Sequence, residues 1–133
     1  MRKAVVAALY TLHAMPVENS VRSGTPDIAY IGGWLELKWI REYPKREDTT
    51  IRLHHFTKQQ RIWLKRHWQL GGNAFLLLQI KREWFLFEAL YAYEWVGLVT
   101  VAELRKNAVW HSTTGFKPSE LRRILEKYNE NCF

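Results

Sequence analysis

Much that would mark a secreted or membrane-inserted chain is missing from this sequence. It has one cysteine, Cys132, next to the last residue, so an internal disulfide and a thiolate metal cluster are both excluded. A reducing, intracellular setting fits that usage. No uninterrupted apolar run reaches membrane-spanning length, and no membrane partner is expected. The opening Met1-Arg2-Lys3-Ala4-Val5-Val6 superficially resembles a signal peptide, but His13 and Glu18 follow soon after and no small-residue cleavage site is present. Residues 1–15 contain no acidic side chain at all. Internal repeats and low-complexity linkers are also lacking, so residues 1–133 read as one domain.

What the chain does have is apolar and basic. Its hydrophobic fraction of 47%, with 7 Trp, 6 Tyr and 6 Phe, argues against disorder. Twenty basic against thirteen acidic side chains give a formal charge of +7, and the sequence pI is about 9.7. That is a moderate bias towards polyanions, nucleic acid first among them.

Periodicity and punctuation predict a helix over residues 2–14, closed by Pro16, and then a short strand over 17–21. Strands over 27–31 and 34–40 follow, joined by Gly32-Gly33 as a two-residue hairpin loop. The charged stretch 41–55 reads as a loop. Thr57 caps a helix over 58–70, which Gly71-Gly72 stops. Two strands, 74–80 and 84–87, turn at Lys81-Arg82. Thr100 with Glu103 resembles a capping box for a helix to about 109, and a last helix starts near Pro118. The order implies an α/β domain with a central mixed sheet flanked by helices. Its core covers about residues 2–88, with a helical C-terminal extension over about 96–130.

One stretch carries chemistry. With Gly32 and Gly33 as the loop, Ala29 opposes Glu36 and Asp27 opposes Lys38. Asp27, Ala29, Glu36 and Lys38 then share one face, and Ile28, Tyr30, Leu35 and Leu37 the other. The small Ala29 leaves room for an ion between the two carboxylates. Carboxylates, a backbone carbonyl such as that of Leu37, and waters are the donors Mg²⁺ or Mn²⁺ prefers. The alternative is a solvated face of cross-strand ion pairs. Gln60 falls on the packing face of the 58–70 helix, where an amide needs partners. Local partners, or the water or phosphate of a site, would serve it equally.

The segments Gly24-Thr25-Pro26-Asp27, Gly33-Trp34-Leu35-Glu36-Leu37-Lys38 and Phe56-Thr57-Lys58-Gln59-Gln60 together resemble the PD-(D/E)xK nuclease superfamily. They are most similar to VRR-type nucleases and to small archaeal and phage Holliday junction resolvases. The resemblance covers about residues 2–88 and implies a restriction-endonuclease-like core and Mg²⁺- or Mn²⁺-dependent cleavage of duplex or branched DNA. It further implies a homodimer and a setting in a bacterial, archaeal or phage-infected cytoplasm. By resemblance Asp27 and Glu36 are metal ligands, Lys38 the catalytic lysine and Gln60 the auxiliary glutamine. Relatives place a further glutamate on the first helix; here Glu18, beyond Pro16, is the sole candidate to replace it. A catalytically silent DNA-binding or protein-interaction domain on the same scaffold is the alternative.

Arg22, Lys45, Arg46, His54, His55, Lys58, Arg61 and Lys65 are candidate nucleic-acid contacts around the site. His54-His55 lacks the spacing and partners of a zinc site. Trp34, Trp39, Trp63 and Trp84 fall inside regular elements and read as core or interface residues. The segment Tyr91–Trp95, or an edge strand at 84–87, would suit a dimer interface.

Overall fold

The computed structural model describes residues 1–18 and 24–131. A six-stranded sheet runs in the order β1 (Met15–Pro16), β2 (Ile28–Tyr30), β3 (Gly33–Ile40), β4 (Asn73–Ile80), β5 (Glu83–Glu88) and β6 (Trp110–Ser112). All neighbours are antiparallel except β3 and β4, which are parallel. The helix α2 (Lys58–Gln69) makes that crossover, because parallel neighbours need a long connection. The fold is α/β, with a mixed sheet between two helical layers.

Each face has its own core. On one, α2, α3 (Ala89–Glu94) and α4 (Val101–Asn107) cover Leu76, Leu78, Phe85 and Phe87. On the other, α1 (Arg2–Ala8) and α5 (Pro118–Glu130) cover Ile28, Leu35, Phe75 and Leu77. Residues Asn73–Ile80 are almost continuously buried, as expected of a strand covered on both faces. Among the described residues no helix is long and apolar enough to cross a membrane.

Several expectations are corrected. The first helix stops at Ala8, and a 3₁₀ turn over Tyr10–Leu12 ends with His13 left-handed. The first strand is the two-residue β1, Val17 and Glu18 follow it outside any strand, and the rest of the strand expected over 17–21 lies in residues 19–23, outside the described set. The C-terminal part is not purely helical, because β6 returns to the sheet and pairs β5. The 84–87 strand is therefore interior, and that edge cannot serve a dimer. Helix α3 occupies the segment of unclear periodicity. Within it Tyr91 stacks on Phe87 at 5.3 Å and Tyr93 lies under Lys65; Trp95, the residue after its end, is half exposed. Trp84 is core, Trp34 and Trp63 are partly buried against each other at 5.2 Å, and Trp39 is 59% exposed.

The hairpin loop is Ile31-Gly32, not Gly32-Gly33. Tyr30 pairs with Gly33, Ala29 with Trp34 and Ile28 with Leu35. Gly32 takes the positive φ of 107° that this turn needs and that a side chain would resist. Tertiary bonds hold Ile31 in the turn: its N–H donates to the Leu12 carbonyl at 2.7 Å, and its carbonyl accepts from Asn129 Nδ2 at 2.8 Å.

Candidate metal and phosphodiester site

Moving the turn back one residue slides β2 along β3 by two residues. Side chains alternate with a period of two, so the faces survive but the partners change. Continued by one residue, the observed register sets Asp27 across from Glu36, where the expected register set it across from Lys38. The acids are brought together more directly than the sequence suggested.

The strand ladder stops at Ile28, and Asp27 takes over the edge it leaves. Its Oδ2 accepts from the Leu37 N–H at 2.8 Å. In a strand the N–H and C=O of one residue point the same way, so the Leu37 carbonyl faces that edge too. Gly24, at φ 87°, lets the approaching loop lie on the first turn of α2. A Cβ there would come within 2.5 Å of the Gln59 carbonyl and 2.8 Å of the Gln60 nitrogen.

Glu36 is 1% exposed, and neither of its carboxylate oxygens has a hydrogen-bond partner. Lys38 Nζ stands 3.7 Å from Oε1, an ion-pair distance but a loose one, and donates instead to the His55 carbonyl at 2.9 Å. Burial pushes the Glu36 carboxyl up to about 9; Asp27 adds to the rise and Lys38 opposes it. Two facing acids with one of them desolvated cannot readily both ionise alone. A divalent cation would remedy both faults, filling the orphaned oxygens and cancelling the repulsion. The donor set is hard oxygen, and Mg²⁺ is commonly held by one or two carboxylates, waters and substrate phosphate. The residues present fit such an ion.

A third acid does not join them. Glu18 pairs with Arg2 at 3.5 Å with its side chain 65% exposed, and no group of three or more metal-ligating side chains occurs among the described residues. Glu18, the expected replacement for the first-helix glutamate, stands at the α1 surface beside Arg2 and apart from the Asp27–Glu36 pair.

Solved structures similar to this chain include a resolvase. The chain is similar to Archaeoglobus fulgidus Hjc, a Holliday junction resolvase from an archaeal hyperthermophile. The two share 21% identity, the match covers 67% of this chain and 74% of that one, and the TM-score is 0.44. No family model and no curated protein matches the sequence.

The remaining candidates divide by what they touch. Gln60 is the third helical residue of α2 and half of a capping box. Its Oε1 accepts from the Thr57 N–H at 3.0 Å, while its own N–H donates to Thr57 Oγ1 at 3.2 Å. The cap supplies the amide oxygen with its partner and leaves the NH₂ donors outside that motif. Lys45, His54, His55 and Lys58 are exposed, and Arg46 is exposed with Asp48 at 3.3 Å. Arg61 and Lys65 are tied to α3. Arg61 Nη1 donates to the carbonyls of Ala92 and Tyr93 at 3.0 and 3.4 Å, and Lys65 Nζ lies 4.4 Å from the Tyr93 ring. Arg22 lies outside the described residues.

Sequence reasoning overlooked Phe56 and Arg52. Phe56 is buried, with Lys38 Nζ at 5.8 Å and Arg61 Cζ at 4.1 Å from its ring centroid. A lone Phe before a helix cap signals a hydrophobic staple, not a platform for two cations. Arg52 was hidden in a charged loop whose course only tertiary contacts define.

Proposed function

We propose that the protein is a divalent-metal-dependent endonuclease that hydrolyses DNA phosphodiester bonds, with Asp27, Glu36 and the Leu37 carbonyl as ligands of Mg²⁺ or Mn²⁺. The observation that carries this reading is the buried Glu36, with no hydrogen bond to either oxygen and only a loose ion pair to Lys38, set across from Asp27. A core that isolates a carboxylate without satisfying it is costly unless the group has a ligand.

When bound, such an ion lowers the pKa of its water and offsets charge on the phosphoryl oxygens. The chain's own groups do the rest. Asp27, steadied by the Leu37 amide, keeps one oxygen free of that bond to hold the ion. Lys38 is positioned by the His55 carbonyl and can hold the attacking water and add positive charge beside the phosphorane-like transition state. Gln60 retains NH₂ donors for a phosphate oxygen or that water. The basic excess of the chain favours a polyanionic substrate. The motif resemblance to resolvases favours branched DNA and a homodimer, which would put two sites on one junction.

Cleavage of duplex, single-stranded, flap and four-way-junction DNA, each with Mg²⁺ and with Mn²⁺, tests the reading. Cutting is expected only with the ion, and the Asp27→Asn/Glu36→Gln double variant should not cut. Full cleavage by that variant would remove the site. Equal cutting of linear duplex and junction would remove only the resolvase refinement. A second reading, a catalytically silent DNA-binding domain, is favoured by the Glu18–Arg2 pair, which leaves the metal set with two acids. Its signature is metal-independent DNA binding with no cutting by the wild type.

A further inference from the structure

Beyond the two carboxylates, the segment 51–56 builds a second feature. Its ends are buried: Ile51 is 2% exposed and donates its N–H to the Val99 carbonyl at 2.8 Å, and Phe56 is 6% exposed under Lys38 and Arg61. Between these anchors Arg52 and His54 are exposed. They line a surface pocket of about 360 Å³ with Thr50, Arg61, Gly97 and Leu98, and no acidic residue is among its lining.

Arg61 forms the fixed wall. Its guanidinium stacks on Phe56, and its Nη1 is held by carbonyls in the last turn of α3, which lack intrahelical donors. Among the described residues no carboxylate pairs with it. Nη2 turns towards Gly97, where a Cβ would come within 2.7 Å, so the bare backbone at φ 101° is what admits it. Arginine has five donors, and the α3 carbonyls engage only one of its nitrogens. A guanidinium held in place without an acid, facing a cavity with a second arginine and a histidine, is a preformed anion site.

We infer that the Arg52–His54–Arg61 pocket is a phosphate subsite that seats a backbone phosphate of the nucleic-acid strand flanking the cut. The inference rests on the nucleic-acid reading above and adds a location to it. Lys38 Nζ lies 5.8 Å and Arg61 Cζ 4.1 Å from the centroid of the same Phe56 ring. The two cations thus stand within about 10 Å, about three rises of ~3.4 Å along one strand. A strand whose phosphate is at Lys38 therefore reaches the pocket within a few nucleotides.

The test uses the full chain and fluorescein-labelled DNA with EDTA, so binding is read without cleavage, over a range of salt concentrations. Arg52→Gln and His54→Ala avoid Arg61, whose loss would also unseat α3; Arg123→Gln, on the exposed face of α5, is the control. Arg52→Gln is expected to weaken binding about 3- to 10-fold and to reduce the slope of log K against log salt by about one, with an unchanged melting temperature. Adding Arg52→Gln to His54→Ala should weaken binding further, while Arg123→Gln should change neither quantity. Unchanged affinity and slope in the Arg52/His54 double variant would overturn the inference even if the wild type cuts DNA. Loss of binding in that variant, with no cutting by the wild type under any ion, would uphold the pocket and overturn the nuclease reading. Inorganic phosphate, titrated at constant ionic strength, separates a strand phosphate from a free one. Competition between phosphate and DNA that is lost in the Arg52/His54 double variant is expected; saturable low-millimolar phosphate binding that leaves the DNA affinity unchanged would assign the pocket to a small anion and overturn the strand assignment.

Discussion

Asp27 accepts the Leu37 amide at 2.8 Å, while Glu36, across the ladder from it, accepts no hydrogen bond at either oxygen. The acids are therefore unequal: burial first, and then Asp27, raise the Glu36 carboxyl and favour its neutral form in the metal-free protein. Glu36→Gln exchanges one neutral group for another of the same shape. Cleavage is expected to fall at least 100-fold, with a metal-free melting temperature at pH 7 equal to or above that of the wild type. Calorimetry beside single-turnover cleavage checks this; a melting decrease of more than a few degrees would show that Glu36 has a structural partner.

Lys38 has two duties, facing Glu36 at 3.7 Å and holding the His55 carbonyl at 2.9 Å. Lys38→Ala should slow cleavage strongly, retain more metal binding than Asp27→Asn, and lower stability by about 1 kcal/mol through the lost hydrogen bond. Isothermal titration with Mn²⁺ gives the metal affinity. Metal binding lost to the same extent as in Asp27→Asn would count against a water-orienting role.

Gln60 and Thr57 share one cap, and comparing them separates the cap from the site. Thr57→Ala and Gln60→Ala should each cost about 0.5–2 kcal/mol of stability. Only Gln60→Ala should also reduce the cleavage rate per folded molecule. Equal rates in the two variants would leave Gln60 with the cap alone.

Glu83 is the anchor of a separate network that joins β5 to the loop at Tyr43, to α4 and to β6. Arg105 donates to it at 2.7 and 2.9 Å, and Tyr43 and His111 also bond to it. Burial alone would raise the Glu83 carboxyl, but the bonds from Arg105, Tyr43 and His111 outweigh it and hold it at about 2. The folded value lies below the unfolded one. The network's stabilisation is thus fully present above about pH 4.5 and is lost as pH falls towards 2. With Arg105 half exposed and the pairing screened, Glu83→Gln should cost on the order of 2 kcal/mol at pH 7 and flatten the acid limb of stability. Urea melts between pH 3 and 7 measure both; an unchanged acid limb would count against the network.

The sequence by itself determined the element order through β5, the N-cap of α2, and the face shared by Asp27, Glu36 and Lys38. Those depend on local periodicity and turn chemistry, and the face outlasts an error in register because a two-residue slide preserves alternation. Tertiary structure decided the rest. Leu12 and Asn129 pin Ile31 in the turn, which moves Asp27 from Lys38 to Glu36. The short β6 is specified by its pairing with β5, since three residues carry too little pattern to be seen alone. Glu18 goes to Arg2, and Arg61 joins Phe56 to the carbonyls of α3, through contacts between segments far apart in the chain. Spacing along a chain tells which side chains share a face; which of them meet across elements depends on how the two cores close, and that is a property of the whole fold.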